Sequence, residues 1–137
     1  DSDKIFALRT VEDTLRLKKY TDEHHPKSAV VVGGGFIGIE VAENLRELGI
    51  DVTLVEAADQ LMAPFDRDMA SFIHAEIRKN SIHLMLDTMV EAFADTDYGI
   101  DVKLKNAPTL HTDMVVMAIG VAPETTLAKE AGLELGQ

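Results

Sequence analysis

Between residues 29 and 56 the chain reads AVVVGGGFIGIEVAENLRELGIDVTLVE, and its apolar positions change period twice. Ala29, Val30, Val31 and Val32 are an unbroken run of small and β-branched residues closed by glycine, the pattern of a central strand covered on both faces. Over 36–48, Ile37, Val41, Leu45 and Leu48 recur at helical spacing, and Gly49 ends the stretch as a C-terminal cap would. "DVTLVE" (51–56) is again continuous and reads as a second buried strand. Strand, helix and strand in close succession make a right-handed βαβ unit with a parallel sheet.

The flanks extend this pattern. Over 10–21, Val11, Leu15 and Leu17 or Lys18 fall near helical spacing, with Thr10 and Asp13 fitting a capping box; "DEHHPKS" is then a polar turn in which proline blocks continuation. Over 66–79, Met69, Phe72, Ile73, Glu76 and Ile77 follow a helical pattern, with acids in the first turn and cations in the last, and 82–86 reads as a third parallel strand. From 88 to 110 the segments are short, partly alternating and separated by "TDYG" and "NAP", which predicts an antiparallel meander. "DMVVMAIG" (113–120) returns to a buried strand, and "PETTLAKEAG" predicts a short helix with proline in its first turn. The expected fold is α/β: a Rossmann-type parallel sheet with helices on both faces and an inserted three-stranded antiparallel meander. The whole chain reads as one domain, with residues 1–28 a helical lead-in and 29–137 its body. The chain opens on Asp1 and its apolar pattern is still running at "EAGLELGQ", so it is expected to be a piece of a longer polypeptide.

Composition narrows the chemistry. Thirteen Lys and Arg stand against 24 Asp and Glu, a net charge of -11, which argues against nucleic acid and anionic membranes as partners. A phosphorylated ligand must then be held by local donors. The absence of cysteine removes disulfides, thiolate metal sites and thiol redox chemistry from this stretch. No apolar run approaches a membrane span and no signal peptide opens the chain, so a cytoplasmic location is expected. His24, His25, His74, His83 and His111 lack metal-binding spacing and read as surface or structural residues. Tyr98 is followed four positions later by Val102 rather than lysine, and neither a GxSxG elbow nor a GxxxxGK[ST] loop occurs. Asp66 and Asp68 are accounted for as charge at a helix N-terminus.

Gly33, Gly35 and Gly38 satisfy GxGxxG, after a strand and at the opening of a helix. In that setting the first glycine permits the tight turn, the second lets the backbone approach a pyrophosphate, and the third lets helix and strand pack. Amides from about Phe36 on point at phosphate oxygens. Glu56, 18 positions after Gly38, ends the second strand where an acid accepts hydrogen bonds from an adenosine ribose. That carboxylate repels a 2′-phosphate, and no Lys or Arg follows until Arg67, so NADH is expected over NADPH. The same glycines could make a purely structural turn or hold FAD; the roughly 28 residues before the first strand disfavour FAD.

"VVVGGGFIGIEVAENLRELGIDVTLVE", followed by "MAPFD" and by "DMVVMAIGVAPET", resembles the NAD-binding middle domain of pyridine nucleotide-disulfide oxidoreductases. The likeness is to the coenzyme A disulfide reductase, NADH oxidase and NADH peroxidase branch and spans essentially the whole chain. It implies a flavoprotein in which an FAD domain is interrupted by this NAD domain and followed by a dimerisation domain, the whole forming a homodimer. NADH would stack on the flavin and pass it a hydride, and the flavin would reduce a cysteine-based centre. Flavin site and cysteine would lie outside this stretch, leaving it inactive alone, with no catalytic residue and no metal. By the resemblance, Phe36 covers the nicotinamide pocket and Ile37 touches the cofactor. Glu40 lies near the carboxamide and pairs with a lysine of the flavin domain. Phe65 lies by the adenosine, Val90 flanks the adenine, and Ala118, Ile119 and Gly120 form a second turn beside the nicotinamide half. Packing also accounts for Phe36, Phe65 and Val90, and the helix dipole for Glu40. The rival reading is a stand-alone NAD-sensing regulatory domain in which occupancy alters association with a partner and no electron moves.

Overall fold

The structure, a computed structural model, describes residues 2–136. The elements are β1 (Ile5–Ala7), α1 (Val11–His24), β2 (Ser28–Val32), α2 (Phe36–Glu47), β3 (Asp51–Val55), α3 (Arg67–Lys79) and β4 (His83–Met85), then β5 (Val90–Thr96), β6 (Gly99–Leu104), β7 (Leu110–Thr112), β8 (Met114–Met117) and α4 (Thr126–Glu130). A parallel sheet has the order β1-β8-β2-β3-β4, and β5, β6 and β7 form a separate antiparallel sheet.

Register explains the continuous apolar runs. Phe6, Val116, Val31, Leu54 and Leu84 stand abreast across the five strands. They share one core with Leu17 of α1, Val41, Ala42 and Leu45 of α2, and Ile77 of α3. Val30, Val32, Val55 and Val115 point the other way and pack on Ile100, Val102 and Leu104 of the meander. Both faces of β2 are therefore dry, which a central parallel strand requires. The α/β class, parallel sheet and inserted meander are as expected; the expectation of helices on both faces needs correction. The three long helices share one face, the meander roofs the other, and α4 buries no residue.

Local signals explain the helix ends. Thr10 and Asp13 form the capping box of α1: the Asp13 amide donates to Thr10 Oγ1 at 3.2 Å, and Asp13 Oδ2 accepts from the Thr10 amide at 3.1 Å. Gly49 and Ile50 donate to the carbonyls of Arg46 and Leu45, the paired bonds of a Schellman motif closing α2.

The inward faces differ from the expected stripes. In α1, Leu17 and Tyr20 face the core while Val11 and Leu15 are exposed. In α2, Ile37 and Leu48 lie outside the buried stripe. In α3, buried Ala70 and Ile77 with half-buried Ile73 form the inward line, spaced i, i+3, i+7, leaving Met69 and Phe72 exposed. The lead-in also carries β1, a three-residue strand paired with β8, and Pro123 precedes α4 rather than entering its first turn. No helix among the described residues is long and apolar enough to cross a membrane.

From β2 the chain proceeds to β3 and β4 on one side, then returns to β8 on the other. The topological switch, and with it the crevice where such sheets bind ligands, falls at the carboxyl ends of β2 and β8.

Candidate functional site

The motif glycines answer to different demands. Gly33 has φ +110°, and a Cβ there would lie 2.3 Å from the Ala118 carbonyl oxygen. A Cβ on Gly38 would lie 1.8 Å from the Gly33 carbonyl oxygen, so α2 can pack on the turn only through glycine. Gly35 is different: its backbone is extended, with φ -83°, and a Cβ would meet nothing within 4 Å. It opens on free space, with no protein neighbour that forbids a side chain. No side chain caps α2, whose first bonded amide is that of Ile39, donating to Gly35 O at 3.0 Å. The amides of Phe36, Ile37 and Gly38 precede the first bonded turn, at the positive end of the helix dipole.

Gly34 lies between the motif glycines, at the centre of the run GGG. A Cβ there would lie 2.3 Å from Leu61 Cδ2. Its amide donates to Glu56 Oε2 at 2.6 Å, and its carbonyl accepts from the Met62 amide at 2.9 Å. Glu56 Oε1 accepts from the Ala58 amide at 2.7 Å. Two main-chain donors thus fix the carboxylate just past the end of β3, and two of its four lone-pair sites remain for a ligand. Arg67, the first cation downstream, is paired with Asp59.

Three recesses meet around this turn. One of about 350 Å³ brings together Gly33, Glu56, Val90 and Ile119. A second, about 80 Å³, is lined by Ile37, Ala118, Ile119 and Gly120. The third, about 230 Å³, lies between Gly34, Gly35, Phe36 and Glu56 on one side and Gln60, Met62, Ala63 and Pro64 on the other. Phe36 is 64% exposed and meets Phe65 edge to face, their ring centres 6.3 Å apart. Core packing does not account for a ring so open. Glu40, exposed one turn beyond Phe36, lines none of these recesses. A larger groove of about 560 Å³ between α2 and α3 shares no residue with the glycine turn.

Sequence reasoning classed His74 only as surface or structural. Its Nε2 accepts the Leu61 amide at 3.0 Å, tying α3 to the loop that faces Gly34. Burial holds its pKa below the ordinary 6.5, and Arg78 pushes in the same direction. No single-residue pattern marks such a tether, because its two ends lie 13 positions apart.

The family described as pyridine nucleotide-disulphide oxidoreductase matches residues 1–137. An NADH oxidase of Methanocaldococcus jannaschii is 37% identical over 100% of this chain and 31% of its own length. Among solved structures, the reduced CoADR-RHD of Bacillus anthracis superposes with TM-score 0.86 at 48% identity, covering 97% of this chain and 24% of that one. The water-forming NADH oxidase of Lactobacillus brevis, bound to NADH, gives TM-score 0.84 at 32% identity, covering 95% and 28%. A variant of that oxidase engineered to use NADPH, bound to NADPH, gives 0.85 at 30% identity, covering 96% and 29%. The chain thus spans between about a quarter and a third of the length of these relatives.

Proposed function

Since the chain belongs to the pyridine nucleotide-disulphide oxidoreductase family, we propose that it is the NADH-binding domain of an FAD-dependent oxidoreductase, presenting nicotinamide to a flavin held mainly by the rest of the polypeptide. The observation that carries this reading is the pairing, on one rim, of the open Gly35 backbone with the fixed Glu56 carboxylate. A diphosphate fits over Gly35, where the amides of Phe36, Ile37 and Gly38 would donate to it. Glu56 then accepts from the two ribose hydroxyls, with Val90 along the adenine in the same recess. The nicotinamide half extends toward Ile37, Ala118, Ile119 and Gly120, where Phe36 would have to yield.

Bound NADH supplies the hydride; the chain's own residues bind, orient and shield it. Glu40 and the exposed apolar side chains of Ile37, Ile119 and Val121 form the surface on which the flavin domain would close. The full-length protein would be a homodimer built through a further domain, in the cytoplasm. The electron acceptor would be chosen outside this chain.

Preference for NADH follows from charge. Glu56 sits where a 2′-phosphate would fall, and the guanidinium of Arg67 is engaged by Asp59. The NADPH-using variant is instructive, since its substitutions remove an acid and bring in two arginines. Calorimetry should give clear heat with NADH and binding at least about tenfold weaker with NADPH. Equal affinities would overturn the assignment of Glu56, and no heat with either at millimolar concentration would overturn the reading as a whole.

A further inference from the structure

The loop 57–66 contains neither helix nor strand, yet Ala57, Gln60, Met62, Ala63 and Pro64 wall two of the three recesses. Its tightest stretch is Leu61–Met62. Leu61 is fully buried with its Cδ2 against Gly34, and Met62 has φ +53°, a left-handed backbone that a side-chain-bearing residue holds only under constraint. The constraint comes from two consecutive amides: Met62 donates to Gly34 O, and Leu61 donates to His74 Nε2. Gly34 in turn donates to Glu56. A continuous chain of contacts thus runs from α3 through the loop to the carboxylate.

We propose that His74 is a positioning residue for the adenosine side of the dinucleotide site: its neutral ring holds Leu61, and through Leu61 and Met62 it holds the Gly34 peptide that aims Glu56. The proposal rests on the dinucleotide reading above. A backbone amide can only donate, so Nε2 is the unprotonated nitrogen and the ring proton sits on Nδ1. Protonation sets N–H against N–H, removes the tether and lets Met62 leave its left-handed conformation.

The surrounding charges leave this to the ring itself. Burial opposes its protonation, and Arg78 on the same helix acts in the same direction. On the loop, Asp59 and Arg67 are paired with each other, and at the end of β3 Glu56 is held by two amides. Asp87, just past β4, meets the loop through its backbone amide, which donates to Ala58 O. Because the folded-state pKa is lowered, the tether is complete above the ordinary value of 6.5 and is lost as pH falls through the depressed one.

The test is calorimetry with ADP-ribose, which carries the same adenosine end and an acid-stable diphosphate, from about pH 8 to about pH 5. The Leu61 amide resonance is followed over the same range without ligand. Wild-type affinity should be constant down to about pH 6.5 and then fall roughly fivefold, the size expected for one hydrogen bond. His74→Gln, whose side-chain carbonyl can still accept, should bind like wild type near pH 8 and lose the acid limb. His74→Leu should be about fivefold weaker throughout. An unchanged acid limb in His74→Gln, or a Leu61 resonance that ignores the titration of the ring, overturns the proposal. Absence of ADP-ribose binding by wild type at pH 8 overturns the dinucleotide reading instead, and the Leu61 titration still decides whether the tether exists.

Discussion

The glycine turn 33–38 and the loop 57–66 form facing walls of one crevice, yet they hold their shapes by different means. The turn follows a path open only to glycine: at Gly33 and Gly38 any side chain would run into a carbonyl oxygen, while Gly34 ties it to Glu56 and Met62. The loop is fixed by attachment: Leu61 to His74 of α3, Met62 to Gly34 of the turn, and Ala58 to Glu56 and Asp87. Steric exclusion is all or none and independent of pH, whereas a hydrogen-bond tether is worth about 1 kcal/mol and depends on the state of its acceptor. On the proposed reading, the wall that faces the diphosphate keeps its path independently of pH, and the wall that faces the sugar answers to pH.

The largest effect should come from breaking the turn. Gly38→Ala places a methyl 1.8 Å from the Gly33 carbonyl oxygen, a backbone atom that cannot swing aside. Either α2 lifts from the sheet or the turn opens; thermal unfolding should show a loss of about 2–4 kcal/mol, with dinucleotide binding abolished. An intermediate effect should follow from Glu56→Gln, which keeps one acceptor oxygen but removes the charge. NADH binding should weaken roughly tenfold while NADPH binding holds or improves, so that a competition titration shows the discrimination collapsing.

The smallest effect lies far from the crevice and serves as a control. Amides of Arg9 and Thr10 bonded to Asp13 hold its carboxyl below the ordinary 3.8. A lowered folded-state pKa gives stability that is full above that ordinary value and is lost as pH falls through the depressed one. Asp13→Asn should flatten the pH dependence of stability in this acid window, without altering the dinucleotide affinity at neutral pH.

What was legible in the sequence follows the same division. The Thr10–Asp13 cap, the Gly49 stop and the strand–glycine–helix succession depend on neighbours in sequence, and each is found where its pattern stood. The register that sets Phe6 beside Val116, and the meander's place over Val30, depend on partners about a hundred and about seventy positions away, and no local period records them. Helix faces were misjudged for a simpler reason. The large apolar Met69 and Phe72 suggest the inward face, whereas the small Ala70 is the side chain with no exposure. Among site residues, the structure gathers Gly33, Gly35, Phe36, Ile37, Glu56, Val90, Ala118, Ile119 and Gly120 around one rim, brings Phe65 against Phe36, and leaves Glu40 on an open helix face. Gly34 and His74 went unrecognised because their partners, Leu61 and Met62, belong to a loop with no periodicity to read.

Gly35 allows the most direct test, since it separates what the fold needs from what a ligand needs. A methyl there would touch no protein atom and would sit on an ordinary backbone conformation. Calorimetry on Gly35→Ala should show unfolding within about 0.5 kcal/mol of wild type, together with NADH binding weakened at least about tenfold by a methyl in the path of the diphosphate. Unchanged NADH affinity in that variant would contradict the account, because no diphosphate could then be lying against the backbone of Gly35.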